Sequence, residues 1–247
     1  MKLKTPLVSV IIPVYKAHAT LARSLNSIKA QKFDYEKIEI IISVDDGKSY
    51  DEFKKLFKNI KIINPSGKIM TGAGQARNRG IKKAKGKLIG FLDADDTWSP
   101  TYLKELAPIA SRFGVAISKT EILNHLGEYI HLLDPGLNIQ IKHFGLLPGS
   151  FHPLVIKKFA GPFPDGPSQD VIHAIRLLKK IKYRYKLPLN AKYQLWLNNS
   201  SKTADKKFCK LVDNSYKNWR YYYLKKMDFE RNSSNQEIIK TLQLKIN

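Results

Sequence analysis

The sequence predicts an α/β fold in which a mostly parallel sheet is flanked by helices. Short apolar runs rich in Val and Ile, typical of buried strands, alternate with segments whose apolar residues recur at helical spacing. This strand–helix alternation is typical of a doubly wound sheet with right-handed crossovers. Acidic residues directly follow two of the strands. The 247 residues suffice for one such domain with additions, or for two small domains.

The elements of this sheet follow one another along the first hundred residues. The run LVSVIIPV at residues 7–14 is β-branched and predicts a central strand that is closed by Pro13. Each later strand is preceded by a segment of helical periodicity. The other predicted strands are 38–44, 60–63 and 88–92, and the predicted helices are 19–30, 51–57 and a segment beginning near Gly72.

The acidic residues lie at the predicted carboxyl ends of two strands. Asp45 and Asp46 follow the second strand, and Asp93-Ala94-Asp95-Asp96 follows the fourth. In open α/β sheets this edge forms the crevice where ligands bind, so we expect Asp45 to share a rim with Asp93 or Asp95. Three carboxylates within four residues repel one another, and a hard divalent cation is the usual reason to tolerate this. Mg²⁺ or Mn²⁺ with a phosphate ligand is therefore expected.

A structural explanation of the second acidic cluster stays open beside the metal. Asp-rich turns after strands often begin helices, and Ser99 followed by Pro100 has the form of an N-cap with proline at the first helical position. On the residues alone, either explanation accounts for the cluster.

Glycines mark the start of the third helix. Gly72, Gly74 and Gly80 bracket Arg77 and Asn78. Glycines before a helix let backbone amides and an arginine approach a phosphate closely. The spacing matches neither a P-loop nor the dinucleotide-binding fingerprint.

The net charge is +22, from 43 Lys and Arg against 21 Asp and Glu. Residues 176–247 hold 18 basic and 5 acidic residues, a net +13. Such a surplus favours an anionic partner such as nucleic acid, an anionic membrane surface or an acidic glycan, although a soluble lysine-rich surface is the alternative.

The single cysteine, Cys209, excludes an internal disulfide and indicates a reducing compartment. No apolar run is long enough to span a bilayer. We expect a cytoplasmic protein, either peripheral on the membrane or associated with DNA.

Three stretches together carry a family resemblance: VSVIIPVY, then SVDDGKSYD, then GAGQARNRGIKKAKGKLIGFLDADDTWSP. They closely resemble family 2 glycosyltransferases, which have a GT-A fold with a Rossmann-like, mostly parallel central sheet. The resemblance covers residues 6 to about 105 strongly and continues more weakly to about residue 200.

The resemblance implies roles for the residues of the rim. Pro13, Val14 and Tyr15 would border the nucleotide base, and Asp45 would accept a hydrogen bond from a pyrimidine N3. Arg77 would approach the nucleotide. The pair Asp93 and Asp95 would meet the ribose and, through a divalent metal, the diphosphate.

Two short segments depart from the family's pattern. Lys16-Ala17-His18 replaces the common Asn-x-Glu after Tyr15, and Lys48-Ser49-Tyr50 stands where Ser-Thr usually follow Gly47. Both lie among the expected nucleotide contacts, so the motifs leave the donor's identity open.

The second half of the chain has weaker signals. Residues 115–118 predict a strand, 121–133 a hairpin turning at 126–128, and 154–156 a short strand. The loop GPFPDGPSQD then leads into a helix, and the family's catalytic base would be Asp170. The alternative is that Asp170 only caps this helix, with Asp165 as the second candidate base. His152 is the histidine expected to reach the donor or the metal.

The sequence therefore predicts a metal-dependent inverting glycosyltransferase. It would move a sugar from a nucleoside diphosphate, UDP by expectation, to the hydroxyl of a glycan or lipid-linked saccharide. One alternative is a DNA glycosyltransferase that modifies a hydroxymethylated base, which would be flipped out of the duplex. The other is a non-catalytic polyanion-binding module.

We expect a nucleotide-sugar-binding half at 1–105, an acceptor-binding half at 106–205 and a basic, aromatic-rich helical tail at 206–247. The tail's Trp219 and Tyr221–Tyr223 alternate with cations and would contact nucleic acid, a bilayer interface or the catalytic domain itself. The oligomeric state is not indicated.

Overall fold

The computed structural model describes residues 5–134, 152–166, 168–180 and 190–197. Short 3₁₀ helices lie at Tyr35–Lys37 and Lys157–Phe159. The strands are β1 (Val8–Val14), β2 (Ile38–Val44), β3 (Ile60–Ile63), β4 (Leu88–Phe91), β5 (Thr97–Trp98), β6 (Val115–Ala116), β7 (Lys119–Leu123), β8 (Tyr129–Leu133), β9 (Leu154–Ile156) and β10 (Lys192–Trp196). The α-helices are α1 (His18–Lys29), α2 (Glu52–Leu56), α3 (Ala73–Lys83), α4 (Tyr102–Phe113) and α5 (Gln169–Lys180).

The first sheet has six strands in the spatial order β3-β2-β1-β4-β9-β6. Strands β1 to β4 are parallel to one another, whereas β9 pairs antiparallel with both β4 and β6. The prediction of an α/β fold with a mostly parallel sheet is confirmed. The four strands and three helices predicted for the first hundred residues agree with the structure to within two residues.

Both faces of the sheet are covered, which explains why its strands are continuous apolar runs. On one face, Val8, Val10 and Ile12 of β1 belong to a core that includes residues of α1 and α4. On the other face, Ile11 belongs to a second core that includes residues of α5. Because successive side chains of a strand point to opposite faces, a single strand supplies both cores.

A second sheet of four strands has the order β5-β10-β7-β8. Strands β7 and β8 form the hairpin predicted around residues 126–128, which is confirmed. The expectation that Ser99 caps a helix starting at Pro100 is wrong, because α4 begins at Tyr102. Ser99 instead follows β5, and its hydroxyl accepts a hydrogen bond of 2.9 Å from the backbone amide of Lys192 at the start of β10. Long-range strand pairing takes this segment out of the helix.

Helix α3 lies directly on the first sheet. A Cβ added to Gly80 would come within 2.5 Å of the Ile11 side chain. Only glycine at position 80 therefore allows α3 to lie this close to β1. Since α3 begins just after the loop from β3, this packing fixes its amino end at the carboxyl edge of the sheet.

Some predictions fall on residues that the structure does not describe. The predicted helical tail at 206–247 lies entirely among them. Within the described part of the chain, no helix has the length and apolar content needed to cross a bilayer.

Candidate functional site

A cavity of about 340 Å³ opens at the carboxyl edge of the parallel strands. The end of β1, the end of β2 and the start of α3 form its walls. Its lining residues are Pro13, Val14, Tyr15, Asp45, Met70, Gly72 and Ala73. Four residues expected to border a nucleotide base therefore line one cavity, although the contact with a base itself stays a prediction.

Asp45 ties the end of β2 to the loop before α3. Its Oδ1 accepts hydrogen bonds from the Thr71 hydroxyl at 2.5 Å, the Thr71 amide at 3.1 Å and Nη2 of Arg79 at 2.8 Å. Its Oδ2 accepts one from the Gly72 amide at 2.8 Å, which leaves acceptor capacity on this oxygen. Burial by itself would raise the pKa of Asp45, but the bonds from Thr71, Arg79 and Gly72 outweigh it and lower the pKa.

Asp93 at the end of β4 is neutralised within the chain. Nη2 of Arg77, which is 1% exposed, donates to its Oδ1. His152, buried as well, places Nε2 3.6 Å from its Oδ2. Burial alone would raise the pKa of Asp93, and the charges of Arg77 and His152 lower it well below its ordinary value. Among the residues predicted from sequence, Arg77 and His152 thus meet at Asp93.

Arg77 connects the two acidic parts of the site. It does not line the cavity, so a direct contact with the nucleotide stays a prediction. Burial by itself would lower its pKa, but the charges of Asp93 and Asp170 outweigh burial and raise it. Two nitrogens of this buried guanidinium, Nε and Nη1, have no hydrogen-bond partner among the described residues. Arg77 therefore pairs with an acid after β4 and also interacts electrostatically with the predicted catalytic base.

Asp96 anchors the acidic loop to β10. It is 5% exposed, and it accepts hydrogen bonds from the Tyr193 hydroxyl at 2.8 Å and the Trp196 amide at 2.9 Å. The Tyr193 hydroxyl in turn accepts from the Asp93 amide at 3.1 Å. Burial, followed by the charges of Asp95 and Asp93, raises the pKa of Asp96 well above its ordinary value.

Asp95 lies between these two anchored acids and is partly exposed. Its backbone carbonyl accepts a hydrogen bond of 2.6 Å from Nη2 of Arg23. The guanidinium of Arg23 is also stacked 3.8 Å from the ring centroid of Trp196. The position of Asp95 is thus fixed through its backbone.

Asp170 is the second residue of α5 and is partly exposed. The structure therefore supports its predicted position in the first helical turn and places it within the electrostatic reach of Arg77. The second candidate base, Asp165, is exposed and accepts a hydrogen bond of 2.5 Å from Nε2 of Gln75.

The predicted Mg²⁺ or Mn²⁺ was tested against the residues at this edge. Within the described ranges, no three His, Cys, Asp or Glu side chains form a group that could hold a metal. Mg²⁺, however, is often bound by only one or two carboxylates, with phosphate oxygens and water completing the shell. The carboxylates of Asp93 and Asp95 fit that donor set. His152 contacts Asp93, and its role as a metal ligand stays a prediction.

Several residues that shape the site were not identified from the sequence. Met70, Arg79 and Tyr193 contact the rim or its acids, but none stands in a pattern that singles it out. Tyr193 comes from a strand about 100 residues beyond the acids it contacts, as the bond from the Asp93 amide shows. Only the pairing of β10 with β5 brings it to the rim.

Comparison with known families gives a match over residues 9–134 to the model described as Glycosyl transferase family 2. Among curated relatives, an Escherichia coli protein named UDP-Glc:alpha-D-GlcNAc-diphosphoundecaprenol beta-1,3-glucosyltransferase WfgD is 38% identical over 93 residues, covering 37% of this chain and 36% of its own length. A glycosyltransferase of Rickettsia conorii described as uncharacterised is 33% identical over 152 residues, covering 61% of this chain and 24% of the relative. The chain thus spans about a third or less of these relatives.

Solved structures share the fold. Residues 1–349 of TarS from S. aureus in complex with UDP-GlcNAc superpose with a TM-score of 0.60 and 15% identity, over 95% of this chain and 71% of that one. The complex with UDP gives a TM-score of 0.58 and 14% identity, over 95% and 70%. At this identity the likeness establishes the fold alone, and it supports the expected GT-A-like architecture.

Proposed function

Because the chain belongs to glycosyl transferase family 2, we propose that it transfers a sugar from a nucleoside diphosphate to an acceptor hydroxyl with inversion. One observation carries this proposal beyond family membership. Arg77 pairs with Asp93, and the charges of Asp93 and Asp170 together raise its pKa, so a carboxylate suited to the donor's diphosphate and a carboxylate suited to acid–base chemistry both interact with one buried cation.

UDP is the proposed nucleotide. The cavity of about 340 Å³ offers an aromatic wall at Tyr15 and acceptor capacity on Asp45. Gly72 and Ala73, at the amino end of α3, line the same cavity. The free amides of a helix start favour a phosphate there. WfgD is named for a UDP-glucose donor, and TarS was crystallised with UDP-GlcNAc and with UDP, which supports this choice.

Mg²⁺ or Mn²⁺ is the proposed cofactor, held by Asp93 and Asp95. When bound, such an ion would neutralise the charge that develops on the leaving diphosphate. Arg77 and His152 hold the Asp93 carboxylate in place, and Arg23 fixes the backbone of Asp95.

Asp170 is the proposed general base. Displacement at the anomeric carbon requires a group that takes the proton of the acceptor hydroxyl as the new bond forms. A partly exposed carboxylate at the start of α5 is accessible to an acceptor.

A lipid-linked or other saccharide is the proposed acceptor. The name of WfgD includes a GlcNAc-diphosphoundecaprenol acceptor, and the net charge of +22 suits an anionic acceptor of that kind. The same charge keeps a DNA acceptor as the second candidate. Binding to duplex DNA that weakens steeply between 50 and 200 mM salt, together with sugar transfer to hydroxymethylated DNA, would favour DNA.

The test is a screen of UDP-glucose and UDP-N-acetylglucosamine, with and without Mn²⁺, against lipid-diphosphate saccharides and hydroxymethylated DNA, with UDP release as the signal. Asp95→Ala and chelation by EDTA should each abolish turnover, whereas Asp51→Asn, at an exposed carboxylate, should leave it unchanged. Asp170→Asn should keep UDP affinity and lower turnover about 100-fold or more. Full turnover by Asp170→Asn would exclude it as the base, and binding without any turnover in the wild type would favour a non-catalytic polyanion-binding module.

A further inference from the structure

Three consecutive residues of α3 reach three different parts of the site. Arg77 pairs with Asp93 after β4, and Arg79 pairs with Asp45 after β2. Asn78, between them, bonds to the backbone of Phe163 in the segment that precedes α5. Helix α3 therefore joins both acidic rims to the element that carries Asp170.

The Asn78 side chain bonds to both backbone groups of Phe163, as the backbone of a neighbouring β-strand would. Its Nδ2 donates to the Phe163 carbonyl at 2.9 Å, and its Oδ1 accepts from the Phe163 amide at 2.8 Å. A carboxamide supplies one donor and one acceptor in this arrangement, whereas a carboxylate can only accept. Both backbone groups of Phe163 are thus satisfied by one side chain.

The segment 161–166 is also closely packed on α3. A Cβ at Gly74 would lie 2.9 Å from the Pro164 carbonyl oxygen, and a Cβ at Gly161 would lie 3.0 Å from Cδ1 of Ile81. Glycine at both positions allows the backbone of the segment to approach the helix to this distance. The segment has little room to slide along α3.

A continuous set of contacts leads from Asn78 to α5. The Phe163 ring is stacked on the His173 ring with a centroid distance of 3.9 Å and an interplanar angle of 17°. His173 is buried in α5, one helical turn after Asp170. Phe163 also packs edge-on against Phe91 of β4 at 4.9 Å. A shift of Phe163 would therefore move α5 relative to the acids that follow β4.

We propose that Asn78 is a positioning residue that fixes Asp170 relative to the donor cavity by holding Phe163. The inference rests on the proposed role of Asp170 as the base. The Nδ2 and Oδ1 atoms of Asn78 bond to the Phe163 backbone, not to the lining of the donor cavity or to the proposed metal ligands. Its removal should therefore affect transfer and not donor binding.

The experiment compares Asn78→Ala with Asn59→Gly, because Asn59 has a φ of 62°, which glycine adopts without the strain that alanine would add. Asn59 precedes β3 at the opposite edge of the sheet and donates one bond of 3.2 Å to the Tyr35 carbonyl, so it is a control for a lost asparagine bond remote from the rim. For Asn78→Ala we expect UDP affinity by calorimetry within twofold of wild type and a kcat for UDP release from the UDP-sugar lowered about ten- to hundredfold. Hydrogen exchange of the Phe163 amide should accelerate in Asn78→Ala alone.

Two further variants separate the possible outcomes. Asn78→Asp retains the side-chain volume but places an oxygen against the Phe163 carbonyl, so it should reproduce the effect if Asn78→Ala does not fold. The double variant Asn78→Ala/Asp170→Asn should be no slower than Asp170→Asn, because both changes act through one residue. Unchanged exchange at Phe163, or an equal loss of UDP affinity and kcat, overturns the positioning role. An active Asp170→Asn overturns the proposed base instead, whatever Asn78→Ala does.

Discussion

Asp46 after β2 and Asp96 after β4 are held by the same hydrogen-bond arrangement. Asp46 accepts a bond of 2.9 Å from the Tyr50 hydroxyl, which itself accepts from the Ala17 amide at 3.1 Å. Asp96 accepts one of 2.8 Å from the Tyr193 hydroxyl, which accepts at 3.1 Å from the amide three residues earlier in the same acidic loop. Both tyrosines are fully buried.

The pKa values of the two aspartates are nevertheless shifted in opposite directions. Burial opposes ionisation of Asp46, but the amides of Lys16 and Lys48 and the Tyr50 hydroxyl outweigh it and lower the pKa. Asp96 is more deeply buried and lies beside the charges of Asp95 and Asp93, so its pKa is raised. The same tyrosine arrangement thus accompanies opposite pKa shifts, because the two aspartates differ in burial, in neighbouring charge and in their amide donors.

This difference affects how the acidic cluster at residues 93–96 is interpreted. In the sequence, the crowded carboxylates predict a divalent cation. In the structure Arg77 neutralises Asp93, and Tyr193 and the Trp196 amide hold Asp96. Donors of the chain itself therefore stabilise Asp93 and Asp96 without a metal. The proposed ion would bind to Asp93 and Asp95 together with the phosphate oxygens of a bound nucleotide sugar.

The largest expected effect is that of Asp93→Asn. It leaves the buried Arg77 guanidinium without its anionic partner, so the free energy of unfolding should fall by about 3 kcal/mol. Urea denaturation monitored by circular dichroism measures it, with Asp46→Asn as the control from the other cluster. A loss of under about 1 kcal/mol would mean that Arg77 does not depend on Asp93.

Tyr193→Phe should have the next largest effect. It removes the hydroxyl between the buried Asp96 carboxylate and the Asp93 amide, which should cost about 2 kcal/mol of stability. Because the same hydroxyl holds the acidic loop, turnover of the UDP-sugar should fall as well. Thermal unfolding together with UDP-release kinetics tests both, and a variant with wild-type stability would contradict the assigned hydrogen bonds.

Tyr50→Phe should cost less, about 1 kcal/mol, since water can reach the partly exposed Asp46 and replace the lost hydroxyl. Parallel urea titrations of the two Tyr→Phe variants make the comparison direct. If Tyr50→Phe were as destabilising as Tyr193→Phe, burial would not explain the difference between the clusters.

The smallest expected effect is on the acid stability of the fold through Asp46. Its pKa is lower in the folded protein than the unfolded value of about 4. Its contribution to stability is therefore complete above that pH and is lost as the pH falls through the folded-state pKa. Asp46→Asn should flatten the decline of the melting temperature as the pH falls below about 4, relative to wild type. An unchanged slope would show that other carboxylates control acid unfolding.

The sequence alone predicted the part of the fold that is local in the chain. Continuous Val and Ile runs such as 38–44 predicted the parallel strands, because a strand covered on both faces is apolar throughout. Helical spacing predicted α1 to α3, because a helix that packs on a sheet buries only one face. It also identified the family, through motifs whose match over residues 9–134 is now established. The roles of Asp45, Asp95 and Asp170 remain predictions.

Only the tertiary structure decided how each acid is used. Arg77 decides how Asp93 is neutralised, Tyr193 holds the buried Asp96, and Asn78 holds the loop before α5. Tyr193 and Phe163 lie about 85 to 100 residues from their partners in the chain. Burial and neighbouring charge set a carboxylate's state, and no local pattern in a sequence records which distant donor will pack against it.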